Sequence, residues 1–234
     1  MNNLLTRQDS ATPPITPIPD TIISVDTTST RGPFNTQPTV LVAMADPSLA
    51  SDEAFINHLT KLVNEVYTAA EEGIFNSEYR RTNLSELRKL ILNSELALAW
   101  QTAPVVQTTT AAPPPTDDSL LIGCARIQSV PDQPTHGVFG MLVCDPKFRG
   151  AGAGRDLVRF AEHYAKNKLR KTVMQCELLV STEFTHPFKA RMQEWYERMG
   201  YKVVRIGDFG KECPHLKPCL VTDVEFRVFE KPLV

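Results

Sequence analysis

Two hydrophobic periods alternate along the chain, and each switch between them marks an element. Thr39–Ala45 (TVLVAMA) is a short, nearly continuous apolar run, which predicts a buried strand. Ser51 as N-cap, with Asp52 and Glu53 in a first turn, opens a stretch in which Phe55, Leu59, Leu62, Val63, Val66, Tyr67 and Ala70 recur on one helical face. Asn83 with Glu86 three residues on forms a capping-box start for a short second helix carrying Leu84, Leu87, Leu90 and Ile91. ELALAW, LLIGCARI and HGVFGMLVC then read as successive strands. A third helix follows, with Leu157, Val158, Ala161, Tyr164, Ala165 and Leu169 on one face and Lys166, Lys168, Arg170 and Lys171 gathered at its C-terminal end, where cations suit the dipole. Val173–Val180 (VMQCELLV) is a strand. Pro187 opens a fourth helix with Phe188, Met192, Trp195, Tyr196 and Met199, closed by Gly200 at C′. YKVVRI and VTDVEFRVFEKPL complete the order β-α-α-β-β-β-α-β-α-β-β, which predicts an α/β domain with a mixed sheet.

Composition adds boundaries. Residues 1–37 are rich in Thr, Pro, Ser and Asp without sustained apolar periodicity, and read as an extended or disordered tail with a short strand at Thr21–Val25. Residues 38–234 then form a single domain, interrupted at Thr102–Ser119 by a flexible Pro/Thr-rich insertion between strands. A chain of 234 residues that is 42% hydrophobic buries one full core. Its net charge of −2 supplies no global field for nucleic acid or an anionic membrane. No apolar stretch approaches the roughly 20 residues of a membrane span, and the start lacks a secretory apolar core, so a cytoplasmic protein is expected. Five cysteines without a C-x-x-C pair argue against a disulfide framework. Cys124, Cys144 and Cys176 sit in apolar strand runs as small hydrophobes. Cys213, His215 and Cys219 in CPHLKPC fall short of a four-ligand zinc site, so no metal is expected.

The stretch DPKFRGAGAGRDLVRF (Asp145–Phe160) carries the chemistry. A strand, a glycine-rich turn and a helix N-terminus make an anion site, because unpaired N–H groups point outward and glycines let a ligand meet the backbone. Phosphate is the natural guest. A P-loop is excluded because Gly154 is followed by Arg155 and Asp156, not by Lys and Ser or Thr. The dinucleotide fingerprint fails as well, since DPKFR separates the strand from the first glycine and no acidic residue stands about 20 positions on.

The loop resembles the acetyl-CoA pyrophosphate loop of the GNAT superfamily of N-acetyltransferases, whose pattern R/Q-x-x-G-x-G/A is met by Arg149, Gly152 and Gly154. WYERMGY (Trp195–Tyr201) is similar to the ending L-Y-x-x-x-G-F/Y of that family's penultimate helix, and the segment from CELLV to EKPL resembles a fungal and bacterial subgroup. The likeness spans Pro38–Val234, with its specific part at Phe139–Tyr201. It implies a mixed sheet of about seven strands, splayed between the fourth and fifth and flanked by four helices. It also implies acetyl-CoA as donor, with Leu142, Val143 and Cys144 along the pantetheine arm and Arg149, Gly150, Ala151, Gly152, Ala153, Gly154 and Arg155 at the pyrophosphate. Tyr196 matches the family's general acid; as a residue of the apolar stripe it has an ordinary core reading too. Lys189 stands where the family often has an asparagine.

The base is read from strand parity. Met174, Cys176, Leu178 and Val180 share one face, so Gln175 and Glu177 share the other. If that face lines the cleft, Glu177 reaches an amine; if a helix covers it, Glu177 is paired with a basic residue. His136, His186 and solvent are the alternatives. EEGIFNSEYRRTN and STEFTHPF are candidate acceptor segments, where Arg80 and Arg81 would attract an acidic acceptor or serve only to solvate the loop. The resulting expectation is acetyl transfer to a small-molecule primary amine by direct attack in a ternary complex, with a homodimer among the allowed assemblies. Acetylation of a protein lysine or N-terminus, and a non-catalytic acyl-CoA-binding module, are the competing readings.

Overall fold

The computed structural model describes residues 39–102 and 120–234. The tail at residues 1–37, with its strand at Thr21–Val25, and the insertion at 102–119 lie outside them, save that Thr102 ends a strand. Helix α1 (Glu53–Ala70) begins one residue later than its sequence suggests, because Pro47 opens a 3-10 turn that consumes Ser51. Asp52 is therefore the N-cap, its carboxylate accepting from the Phe55 amide at 3.0 Å. Helix α2 (Leu84–Leu92) keeps Asn83 as N-cap, accepting from the Glu86 amide at 2.9 Å. Glu86 does not return the bond; its Oε2 accepts from the Thr82 hydroxyl at 2.9 Å.

Among the described residues, seven strands form one sheet: β1 (Thr39–Met44), β2 (Leu96–Thr102), β3 (Leu120–Ser129), β4 (His136–Cys144), β5 (Val173–Ser181), β6 (Lys202–Gly207) and β7 (Val224–Pro232). They lie in the order β1-β2-β3-β4-β5-β7-β6, and only β4 and β5 run parallel. α3 (Ala153–Asn167) and α4 (Pro187–Arg198) cover one face, where Leu157, Val158 and Ala161 pack with Ile122, Phe139, Met174, Cys176 and Phe229. α1 and α2 cover the opposite face of β2–β4 through Ile56, Leu59, Leu87 and Ile91 against Leu96, Leu98, Cys124 and Val143. A smaller cluster of Ile74, Leu179 and Phe209 lies on that second side of β5. Gly200, at φ 92, follows the α4 C-cap as the sequence predicts. A one-turn helix, α5 (Phe209–Glu212), and a 3-10 turn at Pro214–Cys219 stand where the sequence showed only a cysteine-histidine cluster.

β4 and β5 pair through His136↔Val173, Gly137↔Met174 and Val138↔Gln175, and then part. β4 also carries a bulge. Its register against β3 moves from Arg126↔Gly140 to Cys124↔Val143, so Met141 and Leu142 together oppose Ala125, with Met141 at φ 47. The bulge resets side-chain parity: Phe139, Leu142 and Cys144 join the α3/α4 core, while Met141 and Val143 join the α1/α2 core.

Candidate active site

The parted strands open a cleft of about 930 Å³ through the sheet. On the α3/α4 side it is lined by Leu142, Cys144, Arg149, Gly154, Trp195 and Tyr196, and on the other by residues of α1, the α1–α2 loop, β3, β5 and the turn after α5. Of the residues expected along the donor, Leu142 and Cys144 line the cleft as parity requires. Val143 turns into the α1/α2 core, leaving only its backbone on the strand's path. Gly150, Ala151, Gly152, Ala153 and Arg155 form the loop beyond the lining residues, with Arg149 and Gly154 at the cleft itself.

The loop's shape follows from its glycines. Pro146–Phe148 is a 3-10 turn capped by Asp145, whose carboxylate accepts from the Lys147 amide at 2.9 Å. Gly150 and Gly152 hold φ of 89° and 88°, the left-handed region that costs L-residues energy. Gly152 is also the N-cap of α3, and no side chain caps that helix. Its first-turn N–H groups are thus free of a side-chain acceptor and present the positive end of the dipole. Gly154 brings the first turn close to β4 and α4: a Cβ there would lie 3.4 Å from Cys144 Sγ and 3.9 Å from the Trp195 ring.

Tyr196 sits on α4 inside a ring of Phe139, Trp195, Tyr201 and Phe229, with centroid distances from 5.3 to 6.1 Å. Burial, with smaller contributions from Cys176, Tyr67 and Cys144, holds its phenol pKa well above the ordinary value, so it stays protonated. Its hydroxyl forms no hydrogen bond to protein among the described residues, in contrast to Tyr201, whose hydroxyl donates to Glu162 at 2.8 Å. Both the core and the cleft readings of Tyr196 meet in one side chain: its ring packs and its edge lines the opening.

Glu177 lies on the cleft side of β5, opposite to the core face of Cys176 and Leu178, as alternation predicts. It remains solvent-exposed, yet the surrounding walls raise its pKa, mainly by burial and secondarily through Glu212. Arg205, a 3.2 Å bond from Gln175 Nε2 and Arg126 act in the opposite sense. The two histidines stand elsewhere. His136 lies where β4 and β5 are still paired, 3.0 Å from Thr135 Oγ1 and 3.5 Å from Glu230. His186 is the α4 N-cap, its Nδ1 accepting from the Phe188 amide at 3.2 Å.

The expected acceptor segment Glu71–Asn83 lines the cleft, as does Lys189, but the pairing of Glu71 with Lys189 and the presence of Arg126 were not legible in the sequence. Lys189 and Glu71 form a buried ion pair at 3.0 Å, joining the start of α4 to the end of α1 across the cleft. Arg126 lines the opening from β3, and its charge at a position sharing parity with the buried Cys124 is the signal that would have found it. Cys213 and His215 line the cleft too, and no group of three or more His, Cys, Asp or Glu suited to a metal occurs among the described residues.

Residues 116–203 match a family described as Acetyltransferase (GNAT) domain. No curated protein sequence matches the chain significantly. Among solved structures, an aminoglycoside 6'-N-acetyltransferase complexed with coenzyme A superposes with a TM-score of 0.53 at 15% identity, covering 82% of this chain and 97% of that one. An N-acetyltransferase from Staphylococcus aureus Mu50 gives 0.52 at 13% identity, over 84% and 99% of the two chains. N-acetylglutamate synthase from Neisseria gonorrhoeae, complexed with coenzyme A and N-acetyl-glutamate, gives 0.50 at 16% identity over 85% of this chain and 36% of that one.

Proposed function

We propose that this chain, whose residues 116–203 match a GNAT acetyltransferase domain, transfers the acetyl group of acetyl-CoA to the primary amine of a small molecule by direct attack in a ternary complex. The pyrophosphate is received by the α3 N-terminus and the Arg149–Arg155 loop, and the pantetheine arm runs beside Leu142 and Cys144 toward the fork of the strands. The observation that carries the reading is Tyr196: a phenol kept protonated by burial, its hydroxyl without a hydrogen bond to protein among the described residues, in a residue that lines the cleft. A proton donor so placed serves the departing thiolate of a thioester.

The steps follow from these positions. The neutral amine attacks the thioester carbonyl, and the developing oxyanion is met by backbone N–H at the β4 bulge, where one residue stands outside the ladder. Collapse breaks the C–S bond as Tyr196 protonates sulfur. Glu177, on the opposite side of the fork, accepts the proton released from the amine, directly or through water. Its raised pKa brings it closer to the operating range than an ordinary carboxylate.

The test is acetyl-CoA binding followed by turnover. Acetyl-CoA is expected to raise the melting temperature in a concentration-dependent way, with about 2.7 kcal/mol of stabilisation at 100 times Kd, and an amine panel is expected to release free CoA. A melting curve indifferent to millimolar acetyl-CoA overturns the reading.

A further inference from the structure

The acceptor half of the cleft holds two guanidinium groups that, among the described residues, no carboxylate neutralises at contact distance. Arg81, at the end of the α1–α2 loop, lies half-buried over the Tyr67 ring at 5.1 Å. Arg126 projects from β3 against Gly140, where a Cβ would stand 3.8 Å from its Nη2, so its head group lies just past Val138, the last residue at which β4 and β5 remain paired. The Nε of Arg126 is buried without a hydrogen-bond partner. Neither arginine joins the ion pairs that engage Arg88, Arg155, Arg198, Arg205 and Arg227 among the described residues. Arg80, the neighbour that sequence alone grouped with Arg81, is exposed and spends its Nη1 on the carbonyls of Ser77 and Tyr79 at 2.7 Å.

The carboxylates around them are each engaged elsewhere through one oxygen, with Glu71 Oε2 buried and unpartnered like Arg126 Nε. Glu86 acts on both arginines electrostatically while its Oε2 accepts from Thr82. Glu71 Oε1 is taken by Lys189, and Glu177 Oε1 by Gln175. Burial first, and the charge of Arg81 second, lower the Arg126 pKa, the mark of two like charges held near each other in a poorly solvated wall. Buried charge is costly unless paired, and a planar guanidinium is shaped to pair with an oxyanion.

Resting on the acetyltransfer reading, we propose that Arg81 and Arg126 form an oxyanion pocket for the acceptor, so that the amine acetylated carries an anionic group, a carboxylate or a phosphonate, a short tether from its nitrogen. With the oxyanion on the two arginines, the amine is directed toward Glu177 and the thioester at the fork. The pocket sets specificity; the acetyl-transfer step is unchanged.

The experiment uses the full chain and three matched sets: α-amino acids, the corresponding α-aminoalkylphosphonates, and the neutral α-amino carboxamides. Turnover with acetyl-CoA and calorimetric binding of each acceptor, with and without CoA, are measured in parallel. Expected is a preference in kcat/KM for one or both anionic sets of roughly 30- to 1,000-fold over the carboxamides, and the ratio of the first two sets identifies the oxyanion. Arg126→Gln, and separately Arg81→Gln, should collapse that preference through KM while the acetyl-CoA melting shift persists. Equal or better use of the carboxamides, or an anionic preference untouched in both folded variants, overturns the pocket. Loss of the acetyl-CoA shift in the wild-type chain instead overturns the acetyltransfer reading, and calorimetry then still decides whether the arginines hold the anion.

Discussion

At the scale of single residues, the division between packing and chemistry runs through side chains more than between them. Tyr196 belongs to an aromatic cluster by its ring and is also among the residues that line the cleft. Tyr196→Phe should therefore keep the fold and the acetyl-CoA affinity while lowering kcat by about 10²–10⁴-fold, a loss read in steady-state turnover at saturating substrates beside a melting curve. Wild-type turnover in the folded variant, where chemistry limits the rate, removes Tyr196 from the mechanism. Glu177 offers a test in pH. Its folded-state pKa is raised, so its contribution to stability is fully present below the unfolded pKa and is lost as pH rises through the raised folded value. Glu177→Gln should thus melt higher than wild type at neutral pH, with the difference vanishing in acid. Its kcat/KM should be depressed and should lose the pH limb at which the carboxylate ionises.

At the scale of elements, the loop between β4 and α3 shows what a sequence discloses and what it withholds. Alternation and helical periodicity placed the strands and the four long helices, because each buries one face and repeats at its own spacing. Ser51 misled because a proline four residues earlier started a tighter turn, a local competition that the hydrophobic pattern does not register. The glycine loop at Arg149 to Arg155 was legible as a turn leading into a helix N-terminus, since it depends on contiguous residues, and it lies at the cleft through Arg149 and Gly154. On the other side the segment Glu71–Asn83 and Glu177 were singled out in the sequence and line the cleft, whereas Arg126 and the pairing of Glu71 with Lys189 were not, since they come from distant segments that only the folded sheet brings to one opening. Gly152→Val tests the loop as a unit. A β-branched residue at φ 88 should cost about 1–2 kcal/mol of stability, and it should weaken acetyl-CoA binding because its side chain occupies the approach to the α3 N-terminus. Titration calorimetry on the folded variant checks the second effect, and unchanged affinity would place the phosphates elsewhere.

At the scale of the whole molecule, two banks of structure face each other across the cleft and are fastened at several points, the Phe75↔Leu220 bridge and the bonds of Glu162 to Tyr201 and Lys231 included. One is the Glu71–Lys189 pair, buried on both sides at 3.0 Å. Breaking it from one side leaves an uncompensated charge, so Lys189→Met should cost about 3–5 kcal/mol in urea unfolding, whereas Glu71→Gln with Lys189→Met should recover most of that loss. Additive losses in the double variant would show that the two side chains are not coupled.

A further link is the short parallel pairing of β4 with β5, from His136↔Val173 to Val138↔Gln175. It acts as a fulcrum. The part of β4 beyond it, Phe139 to Cys144, is paired with β3 but no longer with β5; it extends for roughly 20 Å at the rise of a strand, so a rotation of only a few degrees between β4 and β5 at the paired end changes their separation at the far end by about an ångström. Misplacement on that scale can cost on the order of 10²-fold in rate. Gly137, set tightly against Ala165, Lys171 and Met174, lies at the closed end of the fork, so under the proposed mechanism the packing beneath that end would set the alignment of groups at the open end.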